Sequence, residues 1–327
     1  MTLAVETALA QELAQELAQG LAQDLARELA ELRRPLLGFC YRMLGSSHDA
    51  EDAVQETMIR AWRGLGRLDD PSGLRPWVFR IATNVCVDAA NDRRRRALPM
   101  DIAAPDDGRG TLGRPQPESA WISPVPTWEL DPADLAVSRD SIRLAFVAAL
   151  QHLAPRQRAV LILRDVLRWR ATEVATLLDT TVDAVNSALR RARAALSEAR
   201  RGDRPADEPV DPRLLQRYVD AFERYDIDGI VSLLHHDVVV SMPPYAFWLR
   251  GGDVFGRWLR SRIAPCDNVR MLRTDANGVP AVALYKYGWK PVGLHVPEWR
   301  DGKITALHAF LDPAIFTLFD LPARLDS

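Results

Sequence analysis

The sequence predicts a multidomain chain: two all-α helical modules followed by a third, α+β domain. Three observations lead there. Apolar residues recur at helical spacing over residues 32–96 and again over 138–201. A stretch rich in Pro, Gly and Asp, residues 97–137, separates them and reads as a linker by composition. After a second short linker at 202–212, residues 213–323 change character. There, two short helices precede β-branched and aromatic runs, with turns at Asp275-Ala-Asn-Gly and Asp301-Gly302. A length of 327 residues also suits two or three domains.

The totals exclude several classes. A net charge of −2 argues against a wholly basic nucleic-acid coat, while leaving room for local basic patches. Cys40, Cys86 and Cys266 lie far apart, with no CxxC or Cys/His cluster, so neither a zinc site nor a disulfide framework is expected. No cofactor is implied. No apolar run approaches the ~18–20 residues needed to span a bilayer. The N-terminus lacks a basic stretch followed by an apolar one, so no signal peptide is expected and a reducing cytoplasm is the default location.

Residues 1–31 are a low-complexity helical extension in which Leu9, Leu13, Leu17, Leu21, Leu25 and Leu29 are spaced by four. Such a spacing drifts ~40° per step around a helix, so the six leucines make no straight seam.

In the first module, Ser47 or Asp49 can cap a helix whose early acids suit the positive end of its dipole. Ala53, Val54, Thr57, Met58, Ala61 and Trp62 form an apolar stripe, and Asp52, Gln55, Glu56, Arg60 and Arg63 lie opposite. A second helix follows from Pro76, with Trp77, Ile81, Val85 and Ala89 on one face and Arg80, Asn84, Asp88 and Asn91 on another. It ends in Arg93, Arg94, Arg95 and Arg96, more cations than a helix terminus needs, which points to a phosphate-binding patch.

The runs Asp49-Ala-Glu-Asp-Ala-Val-Gln-Glu-Thr through Arg60-Ala-Trp62, and Pro76-Trp-Val-Phe-Arg-Ile-Ala-Thr-Asn84, resemble region 2 of extracytoplasmic-function (ECF) sigma factors. The resemblance implies that Asp52, Gln55, Glu56 and Arg60 meet the β′ clamp helices of core RNA polymerase. It also implies that the second helix and the loop before it, residues 66–75, read the −10 promoter element. Opening DNA requires a base to leave the stack, at a few kcal/mol, and stacking contributes ~1–3 kcal/mol per base. Trp77, Phe79, Arg80, Asn84 and Asn91 have chemistry suited to that task.

The second module has the rhythm of a helix-turn-helix: "ATEVATLLD" as scaffold helix, "TTVD" as turn and "AVNSALRRARAAL" as second helix. Thr181 or Asp183 can cap the second helix. Ala184, Val185, Ala188, Leu189 and Ala192 face inward, leaving Asp183, Asn186, Ser187, Arg190, Arg191 and Arg193 for solvent or DNA. Such a helix offers its N-terminal residues to base edges and its arginines to phosphates. With "LAPRQRAVLILRDVL" before it, the block resembles sigma region 4, which reads the −35 element and touches the β flap. The usual turn glycine is Asp179 here, a strained choice for a left-handed position. The family's cations at the positions of Asn186 and Ala188 are absent, which implies weaker or altered −35 contact.

Residues 213–323 resemble the SnoaL-like fold, akin to nuclear transport factor 2: a curved sheet packed on helices around a conical pocket. In ECF sigma factors that carry it, the domain acts as a fused regulator. Enzymes exist among relatives of that fold, which makes His235, His236, Asp237, Tyr245, Trp248, Arg250, Tyr285, Trp289, His295, Trp299 and His308 candidates for pocket chemistry, though a structural histidine is the commoner outcome. Trp121 and Trp128 in the first linker are expected to cover a surface of this domain.

The leading reading is a promoter-directing, non-enzymatic sigma factor whose partners are core RNA polymerase and promoter DNA, with no membrane role; the sequence does not indicate an anti-sigma factor. The alternatives are a ligand-sensing helix-turn-helix transcription regulator and a DNA-tethered pocket enzyme working through His295 or His308.

Overall fold

The computed structural model describes residues 20, 23–68, 70–92, 95–199, 211–262, 268–286 and 288–325. Leu9, Leu13, Leu17, Leu21, Arg93, Arg94, Cys266 and residues 202–210 lie outside the described residues. Leu25 and Leu29 are buried in the first core, so the end of the extension belongs to the fold.

The first module is three helices: α1 (Arg33–Leu44), α2 (Ser47–Gly64) and α3 (Leu74–Asn91). Every residue of α1 from Pro35 to Leu44 is buried, which makes it the central rod. That includes Arg42, 1% exposed, whose guanidinium donates to the Ser141 hydroxyl at 2.9 and 3.1 Å and faces Asp134 at 3.5 Å. Ser46, rather than Ser47 or Asp49, caps α2, accepting from the Asp49 N–H at 3.2 Å. Cys40 and Cys86, distant in sequence, meet between α1 and α3 as buried free thiols, and their hydrogen bond together with burial pushes Cys40 well above the usual thiol range.

The second module runs through α4 (Pro132–Ser138), α5 (Leu144–Leu150), α6 (Pro155–Leu161), α7 (Ala171–Leu177) and α8 (Val182–Ala199). The two modules touch directly: α3 lies on α6 and α7, and α1 meets α5 and α6. Phe79 sits edge-on to Phe39 at 5.5 Å and against Trp169 at 5.2 Å. Arg158 bridges the seam, donating to the carbonyl of Met43 and to Gln151 Oε1; burial lowers its pKa to about 10.

Of the 97–137 stretch expected to be a linker, residues from Pro132 onward form α4, capped by Asp131, while residues 97–130 carry no long element and are nevertheless part of the fold. They lie in a valley between the modules and the third domain, tied by short 3-10 turns and isolated bridges, Ala97 to Trp121 and Pro126 to Ala276 among them.

The third domain has α9 (Pro212–Glu223), α10 (Ile227–Leu233), α11 (Gly252–Arg262), α12 (Ile315–Leu318) and six strands: β1 (Leu234–Ser241), β2 (Trp248–Arg250), β3 (Arg270–Ala276), β4 (Val279–Lys286), β5 (Lys290–Arg300) and β6 (Lys303–Phe310). Their order is β2-β1-β6-β5-β4-β3, antiparallel except for β1 with β6. This is the α+β SnoaL-like cone. Both expected turns form, with left-handed pairs at Asn277 and Gly278 (φ 52° and 73°) and at Asp301 and Gly302 (φ 49° and 72°), the geometry that joins twisted antiparallel strands tightly.

Both faces of this sheet are buried. Side chains alternate along a strand, so Val282, Leu284 and Ala309 enter the cone's own core. Ala281, Ala283, Tyr285, Leu294 and Val296 point the other way, into a core continuous with the helical modules. Phe316 and Phe319 beyond β6 complete that second face, Phe316 edge-on to Tyr285 and Phe319 to Trp128.

Candidate functional site

On α2, Asp52, Gln55 and Arg60 are exposed and Glu56 half-exposed, with Arg60 Nε donating to Glu56 Oε1 at 2.6 Å. This face is open to solvent but flanked. A groove of about 710 Å³ runs beside it, with His48, Asp52 and Gln55 on one wall and Tyr245, Leu311 and Ile315 of the third domain on the other. Trp62, expected in the apolar stripe, is 62% exposed; it lies one residue beyond Ala61, at the stripe's edge, and adds an aromatic to the open face.

On α3, Arg80, Asn84 and Asn91 are exposed along one side, as the spacing predicts. Trp77 is half-buried over the end of α2, where a Cβ on Gly64 would stand 2.8 Å from its ring. Two expectations fail. Phe79 is fully buried and unavailable for stacking, because the deepest stripe of α3 is Val78, Phe79, Ala82 and Cys86, one residue round from the Trp77 face. Arg96 is not part of a phosphate patch. It is 6% exposed, paired with Asp49 at 2.6 Å, and donates to the carbonyls of Glu118 and Trp121 at 2.5 and 2.7 Å, so it anchors the connector. Arg95 is exposed, beside His152 at 3.0 Å.

The helix-turn-helix forms as spaced. Asp179 adopts φ 51°, the left-handed position expected of it, and the Thr181 hydroxyl accepts from Ala184 N–H at 3.2 Å, which makes Thr181 the cap. Val185, Leu189 and Ala192 are buried and Ala188 half-buried, but Ala184 is exposed. Thr181, Asp183, Asn186, Arg190, Arg191 and Arg193 are exposed and Ser187 half-exposed, on the outer side of α8. Arg193 is engaged by Asp165 through two contacts at 2.6 and 2.8 Å, leaving Arg190 and Arg191 as the arginines of this face with no protein partner among the described residues.

The cone encloses a cavity of about 550 Å³. Of the eleven pocket candidates, only His295 lines it; Trp258, Arg262 and Lys286, which strand-like periodicity did not single out, line it too. His308 is a buried structural histidine, Nδ1 bonded to the Ser241 hydroxyl at 2.8 Å. Tyr285 donates to the carbonyl of Pro322, Trp248 to that of Ala103, Trp299 is buried in the cone's core, and Trp289 lies under Arg270. His235, His236, Asp237 and Arg250 sit at the outer surface, and Tyr245 lines the groove beside α2.

His295 Nδ1 shares a 2.8 Å hydrogen bond with the Tyr218 hydroxyl. Burial lowers the imidazole to about 4, against about 6.5 in the unfolded chain. Between those values the unfolded chain binds the extra proton, so this stability is full above pH 6.5 and is lost as pH falls toward 4, by on the order of 3 kcal/mol for a fully buried group. Denaturant titrations at pH 7 and pH 4 should show the wild type losing about that much more than His295→Gln, which keeps a partner for Tyr218 and does not titrate.

Comparison with known proteins agrees with these modules. Residues 29–96 match Sigma-70 region 2, and residues 143–196 match Sigma-70, region 4. The ECF RNA polymerase sigma factor SigG of Mycobacterium tuberculosis is 45% identical over 307 residues, covering 90% of this chain and 82% of SigG. The chain belongs to the ECF RNA polymerase sigma factor family. Probable ECF sigma factor SigI of the same organism is 27% identical, with 90% and 94% covered. The crystal structure of M. tuberculosis SigJ superposes with a TM-score of 0.60 at 24% identity, over 91% of this chain and 100% of that one, so the three-part fold is shared along its length.

As an ECF sigma factor, the chain directs promoter-dependent initiation with core RNA polymerase. The comparison favours neither the stand-alone helix-turn-helix regulator nor the tethered enzyme. No described helix is long and apolar enough to cross a membrane.

Proposed function

We propose that this sigma factor docks on the polymerase clamp through Asp52, Gln55, Glu56 and Arg60. In this reading Trp77, Arg80, Asn84, Asn91 and Arg95, with Arg93 and Arg94, engage the −10 element. Thr181, Asp183, Asn186 and Ser187 meet −35 bases, and Arg190, Arg191 and Arg193 meet flanking phosphates. The third domain modulates activity by holding the two DNA-reading modules together, without catalysis, in the cytoplasm where the polymerase works. A fused restraint of this kind requires no separate anti-sigma factor.

The observation that carries this reading is that the described candidate residues are exposed, apart from the half-buried Glu56, Trp77 and Ser187, while the modules themselves touch. The −10 and −35 elements lie roughly 80 Å apart along B-DNA at ~3.4 Å per base pair. Modules in contact cannot reach both. The compact form is therefore the resting one, and polymerase draws region 4 away from region 2.

The test is run-off transcription with core polymerase on promoters selected by the full-length chain. Replacing Arg190 and Arg191 with alanine should weaken binding alike on every promoter and reduce the salt slope by about 2, since each phosphate contact contributes ~0.9. Asn186→Ala should instead change which −35 sequences are preferred, by about 1–3 kcal/mol at one position. An unchanged salt slope in the double variant would remove α8 from the promoter.

A further inference from the structure

The cone cavity has the size and lining of a small-molecule site. Its volume of about 550 Å³ falls within the ~300–1,000 Å³ typical of such sites. Phe222, Phe255, Trp258 and Leu307 make an apolar body. Polar groups converge on it from a few points: His295, held neutral by burial and oriented by Tyr218, and the cations Lys286 and Arg262. No carboxylate stands among the described lining residues.

The mouth is not closed by the domain itself. Thr111, Leu112 and Gly113 of the connector lie across it. They are moored on both sides. Arg262 Nη2 donates to the carbonyl of Gly110 at 2.8 Å, Asp106 N–H to that of Trp248 at 2.9 Å, and Gln116 N–H to that of Pro244 at 2.8 Å. The same connector runs on to Trp121, whose carbonyl accepts from Arg96 of region 2, and to Val125 and Thr127, which bond Asn277 and Gly278 at the tip of the β3–β4 hairpin. Arg262 thus belongs at once to the cavity wall and to the mooring of its cover.

We propose that the cone binds an apolar organic acid, with an aromatic or medium-chain acyl body and one carboxylate, and that connector residues 109–113 are its lid. The body fills the aromatic chamber, the carboxylate faces Lys286 and Arg262, and His295 offers its remaining ring nitrogen as a donor. An acid that draws Arg262 inward competes with the lid carbonyls for the same guanidinium, so occupancy loosens the strap joining the two DNA-reading modules. This deepens the modulatory role proposed for the third domain.

The full-length chain is titrated with anilinonaphthalene sulfonate as anionic probe and phenylnaphthylamine as its neutral counterpart. The expected result is saturable binding of one sulfonate per chain, displaced by decanoate and not by decanol. Ala309→Trp, which fills the chamber, should abolish it, and Lys286→Met should weaken the sulfonate by about ten-fold while sparing the neutral probe. Trypsin cleavage after Arg109, at the Arg109–Gly110 bond, should change on binding in the wild type only. Equal sulfonate binding by Ala309→Trp, or no preference for the anion, overturns the site. If Ala309→Trp fails to fold, Leu112→Glu in the half-exposed lid decides: altered probe affinity supports the assignment, and unaltered affinity removes the lid. Polymerase and promoter are absent from this assay, so its failure leaves the sigma reading standing.

Discussion

Asn277→Ala should destabilise the sigma factor by about 4 kcal/mol and free the third domain from the helical modules. The residue sits at the tip of the β3–β4 hairpin and is only 1% exposed. Its Oδ1 accepts from Val125 N–H at 3.1 Å, and its Nδ2 donates to the Tyr41 hydroxyl at 2.7 Å and the Ile142 carbonyl at 2.8 Å. One side chain therefore joins region 2, the connector and the approach to region 4. Three buried hydrogen bonds at ~1 kcal/mol each, plus ~1 kcal/mol for alanine at φ 52°, give that figure. Urea denaturation measures the loss, and small-angle scattering should show a larger radius of gyration. Asn277→Gly, which removes the bonds but suits the backbone, should lose about 3 kcal/mol. A loss under about 1 kcal/mol in both variants would mean that the hairpin tip does not hold the modules. The looser variants should also initiate more readily if contact between the modules is the resting restraint.

Asp52→Lys combined with Gln55→Ala should lower run-off yield by about 100-fold, equivalent to ~2.7 kcal/mol of polymerase affinity. Both residues are exposed, so stability should move by no more than ~0.5 kcal/mol. That separation is the check: unchanged melting with lost transcription assigns the face to the polymerase, whereas unchanged transcription removes it from the interface. The groove beside this face gives the variant a second meaning. Tyr245, Leu311 and Ile315 stand across from Asp52, so a partner seated on α2 also meets the third domain.

Deleting the third domain is a poor substitute for these point changes. Ala281, Ala283, Tyr285, Leu294 and Val296 share a core with the helical modules, and removing them would expose what they cover.

Much of the molecule was legible before folding. The helix-turn-helix and the left-handed Asp179 follow from a dozen contiguous residues, as do both hairpin turns; the cap was narrowed to Thr181 or Asp183, and the structure decides for Thr181. The exposed side of α3 follows from a period of 3.6. Trp121 and Trp128 were legible as side chains needing cover, and the outcome is split: Trp121 is buried, whereas Trp128 meets Phe319 edge-on yet stays 43% exposed. What escaped was of a different kind. Arg96 looks like its neighbour Arg95 in sequence, and only the approach of Asp49 and the Glu118 and Trp121 carbonyls makes it an anchor. Phe79 and Trp77 are adjacent aromatics on one helix, and a rotation of ~100° decides which is core.

By itself the sequence determined the kind of each segment and the family, because periodicity, capping and turn chemistry are properties of neighbouring residues. Tertiary structure alone decided how the parts restrain one another. Asn277 stands 236 residues from the Tyr41 hydroxyl it holds, and the small residues of β4 that let the sheet bury a second face look, in the sequence, like any strand. Burial and charge pairing depend on what arrives from elsewhere in the chain, and that information is spread across all three domains.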